Sequence, residues 1–156
     1  MLLEYPKKYM ISSGIGKDEH HLVSFDSALI DAKISNYNLL RVSSILPIQC
    51  EIADKVEVKE GSPLLVAYGS ISSNKEGDVI SSAVAVGVPR DKASVGVIME
   101  YSGHCHKERA EKIVREMTVK AMQNHGIEIE KINSSAIEGK VDGKEFVSVI
   151  SAVSMW

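Results

Sequence analysis

The segment Asn38-Leu39-Leu40-Arg41-Val42-Ser43-Ser44-Ile45-Leu46-Pro47 holds the residues best spaced for chemistry. A Ser-Ser peptide bond ends an apolar, strand-like run, with an amide side chain six residues before the second serine and a proline three residues after it. Such a bond can cut itself. The Ser44 hydroxyl attacks the Ser43 carbonyl and turns the amide into an ester. Elimination then leaves a dehydroalanine, which hydrolyses to a pyruvoyl group at a new N-terminus. A ketone there is a built-in electron sink, suited to decarboxylation with no separately bound cofactor.

Ser-Ser by itself says little. The chain has five such pairs, at 12–13, 43–44, 72–73, 81–82 and 134–135. The plain reading of any of them is a strand or turn serine satisfied by backbone. Only the pair at 43–44 has an upstream Asn on a strand and a downstream Pro.

The elements that must position this segment are legible in outline. Tyr9 to Ser13 reads as a short strand ended by a Gly14-Ile15-Gly16 turn. Those glycines form no phosphate loop, since no Lys-Ser or Lys-Thr follows at the required offset. Ser24 can cap a helix running through about Ala32, with Phe25, Ala28, Leu29 and Ala32 on one face and Asp26 in the first turn. Tyr37 to Val42 is strand-like, and Pro47 blocks regular continuation. Apolar, β-rich stretches follow at Leu64–Ser72, Val79–Val88, Ala93–Tyr101, Ile127–Ile137 and Phe146–Met155. Gly87 inside one of them hints at a bulge or a close contact. Lys107 to about His125 has Ala110, Ile113, Val114, Met117, Ala121 and Met122 at helical spacing, with Gly126 placed to end the helix. Two helices far apart in sequence can cover two sheets, so the expectation is a single-domain α+β layered sandwich over residues 1–156.

Bulk composition fits that expectation. The 156 residues are 44% hydrophobic and 25% charged, with a formal net charge of −3 and a pI near 6.0. This is globular composition, with no basic face to suggest nucleic acid or anionic lipid as partner. Cys50 and Cys105, the only cysteines, make no disulfide framework. Glu4 and Pro6 stand where a signal peptide would need an apolar core, and no run approaches the ~18 apolar residues of a membrane span. The expectation is a soluble, cytoplasmic protein.

The processing segment resembles that of the pyruvoyl-dependent arginine decarboxylases. The likeness extends through Ser24-Phe25-Asp26-Ser27-Ala28-Leu29, Ala67-Tyr68-Gly69, Val88-Pro89-Arg90-Asp91-Lys92 and Gly96-Val97-Ile98-Met99-Glu100-Tyr101, and into the helix from Lys107 to Met117. The resemblance implies a four-layer αββα sandwich and cleavage between Ser43 and Ser44. A β chain of residues 1–43 and an α chain of residues 44–156 would result. It also implies a covalent pyruvoyl group derived from Ser44, and assembly as a trimer or dimer of trimers with active sites between subunits. The implied reaction converts L-arginine to agmatine and carbon dioxide through a Schiff base, a route into polyamines.

The same resemblance gives roles to single residues. Asn38 is the implied amide donor to the oxyanion formed when Ser44 attacks, although a strand-end Asn can equally bond a turn. Glu100 ends the apolar run Val95-Gly96-Val97-Ile98-Met99. Partial desolvation there favours the neutral carboxyl, which is the form needed to return a proton to the α-carbon. Asp26 is the implied guanidinium partner, because a carboxylate can accept two parallel N–H bonds from that group. After cleavage, Ser43 would bring a new carboxylate near the substrate.

Alternatives remain open at this level. A pyruvoyl decarboxylase could act on another amino acid, such as histidine. A non-cleaving, non-catalytic homologue could bind a small cation. His104-Cys105-His106 contains zinc-ligand types, but alternating side chains of an extended segment diverge, and the expectation is no metal site.

Overall fold

A computed structural model describes residues 4–156. The reading of the N-terminus as no signal peptide includes Met1–Leu3, which lie outside the described residues. The elements run β1 (Lys8–Asp18), α1 (His21–Asp31), β2 (Asn38–Arg41), β3 (Ile45–Leu46), β4 (Glu51–Ile52), β5 (Pro63–Ser73), β6 (Val79–Pro89), β7 (Gly96–Gly103), α2 (Lys107–Asn124), β8 (Ile129–Lys140) and β9 (Phe146–Met155).

Two sheets form. One has five strands in the order β2-β5-β9-β1-β4, and the other has four in the order β3-β7-β6-β8. Strands β9 and β6 are buried almost throughout because each lies inside a sheet that is covered on both faces. Side chains alternate between those faces. On β9, Ile150 and Ala152 face α1, whereas Val153 and Met155 meet Val84, Val86 and Ile98 of the opposite sheet. On β6, Ala83 and Ala85 meet Ala110 and Val114 of α2. The layers are therefore α1, five-stranded sheet, four-stranded sheet, α2: the αββα sandwich expected. Side chains such as Leu64, Ile80 and Ile150, at 1% exposure or less, each contribute about 1.5–3 kcal/mol by leaving water.

Two local expectations are corrected. Gly14 and Gly16 make no turn; β1 runs through them to Asp18, paired with β9. Their role is close approach. A Cβ on Gly14 would lie 2.2 Å from the Ala28 carbonyl oxygen, and one on Gly16 would lie 2.2 Å from that of Ser24. Only glycine lets the α1 backbone settle onto this strand. Nor does Ser24 cap the helix. α1 begins at His21 with His20 in the N-cap position, its amide held by Asp18 Oδ1 at 2.8 Å. Ser24 lies inside, its hydroxyl donating to the His21 carbonyl at 2.6 Å and 2.7 Å from Ser148 Oγ. Asp26 consequently falls beyond the first turn, away from the dipole end.

The helix ends are Schellman motifs. At α2, Gly126 takes φ +65° and Ile127 N–H donates to the Met122 carbonyl at 3.0 Å, as its place in the sequence suggests. At α1 the left-handed residue is Lys33, φ +62°, with Ile34 N–H donating to the Leu29 carbonyl at 3.0 Å. Gly87 makes a close contact: a Cβ there would sit 2.9 Å from Thr118 Cγ2 of α2.

Candidate active site

Ser43 and Ser44 lie where the chain leaves one sheet for the other. β2 is an edge strand parallel to β5, and Val42 N–H continues that ladder to the Val66 carbonyl at 3.1 Å. β3 then joins the edge of the four-stranded sheet, Ile45 opposite Val97. The Ser44 carbonyl accepts the Ile98 amide at 2.8 Å, which pins the downstream side of the Ser-Ser link to β7. Ser43 is exposed and Ser44 half-buried.

The same strand delivers Glu100. Ile98 packs in the core between the sheets, and alternation turns Glu100 to that face too, opposite Val84 of β6. Its side chain is 30% exposed. Burial pushes its pKa up from the usual carboxylate value, opposed by the Arg41 guanidinium. Across the gap stands Gly69 of β5. A Cβ there would lie 3.4 Å from Glu100 Cβ and 2.8 Å from Ser102 Oγ. The missing side chain lets the β5 backbone come close to the stem of Glu100. Ser82 Oγ donates to the Gly69 carbonyl at 2.7 Å and accepts from Ser102 Oγ at 3.0 Å, so this floor is hydrogen-bonded rather than oily.

Arg41, the last residue of β2, completes the rim. Its Nη2 donates to the Tyr68 carbonyl at 2.7 Å, its Cζ lies 4.4 Å over the Tyr68 ring, and Nη2 is 4.0 Å from Glu100 Oε1. The sequence reading gave Arg41, Tyr68 and Gly69 no role. A cation beside the Ser-Ser link was the one available signal; which acid it meets depends on sheet register.

Other singled-out residues lie elsewhere in the subunit. Asn38 is exposed at the opposite end of β2, about 10 Å from Arg41 at strand rise, with Nδ2 donating to the Gly61 carbonyl at 2.9 Å. Asp26 is exposed on α1; the preceding Phe25 packs against Tyr68, ring centroids 6.4 Å apart. The side chains of His104, Cys105 and His106 diverge to separate partners: Asp78 at 3.5 Å, Ser81 at 3.3 Å and Glu138 at 3.2 Å. Among the described residues, no three His, Cys, Asp or Glu side chains are grouped to hold a metal ion.

A self-made carbonyl at Ser44 fits this setting. The residue that would carry it is half-buried and anchored through its own carbonyl to the strand that presents a carboxyl whose pKa is raised by burial. Such an arrangement belongs to the enzymes that build their prosthetic group from their own backbone. Comparison with known proteins agrees: residues 8–156 match the sequence model of the family described as pyruvoyl-dependent arginine decarboxylase (PvlArgDC). Relatives bearing that name include one from Methanocaldococcus jannaschii, 38% identical over 151 residues, 97% of this chain and 90% of the relative. One from Methanococcus aeolicus is 38% identical with the same coverage. One from Thermococcus kodakarensis is 34% identical over 149 residues, 95% of this chain and 94% of the relative. The chain belongs to the pyruvoyl-dependent arginine decarboxylase family.

Proposed function

We propose that this protein cleaves itself between Ser43 and Ser44 and then decarboxylates L-arginine to agmatine and carbon dioxide, feeding polyamine synthesis. The observation that carries the reading is the placement of Ser44 at the sheet crossover, bonded to β7 two residues from Glu100.

In the cleavage, Ser44 Oγ attacks the Ser43 carbonyl, the C–N bond breaks, and an ester forms. Elimination releases the Ser43 carboxylate. The remaining enamine tautomerises and takes up one water, losing ammonia to leave the pyruvoyl carbonyl. An amide N–H aimed at the oxyanion in the first step is worth ~3 kcal/mol, and Asn38 is the residue we assign to it. Residues 1–43 become the β chain and 44–156 the α chain.

The pyruvoyl group supplies an electron-withdrawing carbonyl that holds the substrate amine and accepts the electron pair left by carbon dioxide. The chain's residues do the rest. Glu100, whose protonated form is favoured by partial burial, gives its proton to the α-carbon. Asp26 receives the guanidinium through two parallel hydrogen bonds, a geometry that an ammonium matches poorly. The new Ser43 carboxylate lies on the same side of the cut as Arg41 and adds charge and hydrogen bonding near the substrate.

Asp26 and Asn38 are exposed, and Asn38 is bonded to Gly61 at the end of β2 away from the Ser-Ser link, which supports a trimer, or a dimer of trimers, whose sites are completed by neighbouring chains. No described helix is long and apolar enough to cross a membrane, and Cys50 and Cys105 are free thiols, as suits a reducing cytoplasm.

The test combines intact mass with substrate choice. Purified protein should give two fragments, the larger without a free α-amine, and should release carbon dioxide from arginine in preference to histidine, lysine or ornithine. A persistent full-length species without activity would leave a non-catalytic binder of small cations. A preference for histidine would reassign the substrate.

A further inference from the structure

We propose that Arg41 is a positioning residue for Glu100, and that Tyr68 tethers the Arg41 guanidinium so that it steadies the carboxyl without capturing it. The inference rests on the reading of Glu100 as the proton donor, and it concerns what keeps that donor in its protonated form.

The geometry contains a conflict that Tyr68 resolves. A guanidinium released beside a half-buried carboxyl would close on it at hydrogen-bond distance, often with two parallel bonds. The acid would then be held ionised, and a proton donor would be lost. Here the approach stops at 4.0 Å. The nitrogen nearest Glu100, Nη2, already donates to the Tyr68 carbonyl at 2.7 Å. The guanidinium lies 4.4 Å over the Tyr68 ring, which fixes its position a second time. A planar, delocalised cation can stack and donate at once; a lysine ammonium would do one or the other.

Among the described residues, Arg41 is the charge that acts on Glu100. Gly69 of β5 stands against the stem of Glu100, with the Ser82 and Ser102 hydroxyls of β6 and β7 around that glycine, and Arg41 of β2 approaches the carboxyl. Arg41 is the single charge in that set. Burial raises the pKa of Glu100 and Arg41 opposes it, in keeping with a cation held near but not engaged. Tyr68 therefore governs how far the opposition goes.

Two substitutions should act in opposite directions, which a merely structural role would not produce. Arg41→Gln removes the cation, so Glu100 should hold its proton to higher pH. Tyr68→Leu keeps the backbone carbonyl but removes the ring, so the loosened guanidinium should close on Glu100 and ionise it at lower pH. The primary measurement is a carbon-13 carboxyl titration of Glu100 in the uncut Ser44→Ala protein, assigned by loss of the signal in Glu100→Gln. This readout needs neither cleavage nor turnover. Shifts of the same sign in Arg41→Gln and Tyr68→Leu, or no shift in either, would overturn the proposal. The alkaline limb of kcat/KM in cleaved protein should move in the same two directions. If the titration shifts as expected while the alkaline limb survives in Glu100→Gln, Arg41 and Tyr68 do set the carboxyl but the proton-donor role of Glu100 fails.

Discussion

The Ser44 carbonyl accepts the Ile98 amide at 2.8 Å. This bond joins the Ser-Ser link to the strand carrying Glu100, so under the proposed function cleavage and turnover would share one piece of β-ladder. A shift in β7 register would misplace both, because a slip of one residue turns every side chain to the other face.

Ser44→Ala should abolish cleavage completely while leaving the fold intact, since the anchoring bond uses backbone rather than the hydroxyl. Intact-mass spectrometry after prolonged incubation should show one full-length species. Any residual splitting at this position would mean another nucleophile.

Glu100→Gln should still cleave but lose about 100-fold or more in kcat, the ordinary worth of a positioned proton donor. Wild-type turnover should fall as pH rises through the raised pKa of Glu100. The stability sign is fixed by the same shift. A carboxyl whose folded-state pKa lies above its unfolded one favours folding at pH below the unfolded value, and that contribution is lost as pH rises through the folded pKa. Denaturant melts across that window should show wild type losing stability with rising pH relative to Glu100→Gln, by a modest amount because the side chain is partly solvated.

Asp26→Asn should raise KM for arginine roughly 10-fold or more, since a hydrogen bond to a charged group is worth about 1.5–3 kcal/mol. Cleavage should be untouched, because Asp26 is exposed on α1 and the cleavage chemistry assigns it no role. Steady-state assays of fully cleaved protein make the comparison, and an unchanged KM would remove Asp26 from the substrate site.

Gly69→Ala should impair turnover more than stability. Its methyl would sit 2.8 Å from Ser102 Oγ, the movable end of a side chain, and 3.4 Å from Glu100 Cβ. Gly14→Ala is the contrast, with a methyl 2.2 Å from a backbone carbonyl oxygen that cannot swing aside. Overpacking of this kind costs about 1–3 kcal/mol or more. Equal urea midpoints for the two variants would contradict that account of β1.

Much of the fold was legible because its signals are local. The apolar runs that became β5 through β9, the α2 stripe of Ala110, Val114 and Met122 and the Gly126 terminator each follow from residue spacing. The misreadings have one cause. Gly14-Ile15-Gly16 looks like a turn until a helix backbone is laid on it, and Ser24 looks like a cap until Ser148 is found against its hydroxyl. The two-residue strands β3 and β4 exist only through their partners. At the site, the Ser43-Ser44 segment and the desolvated Glu100 could be read from neighbours in sequence. The Arg41–Tyr68–Glu100 cluster could not, because it is assembled from three strands in two sheets.

The sheet crossover at Ser43-Ser44 also has a kinetic consequence. Residues upstream of it supply β1, an inner strand held between β9 and β4, as well as α1 and the edge strand β2. Severing the link, as proposed, would leave two polypeptides woven through a common core, so the pieces should stay together without a covalent tie. Regaining that weave after denaturation becomes a bimolecular encounter, slower on dilution, whereas the uncut precursor closes the same contacts within one molecule. Maturation by that cut would give up the easy way back to the native state.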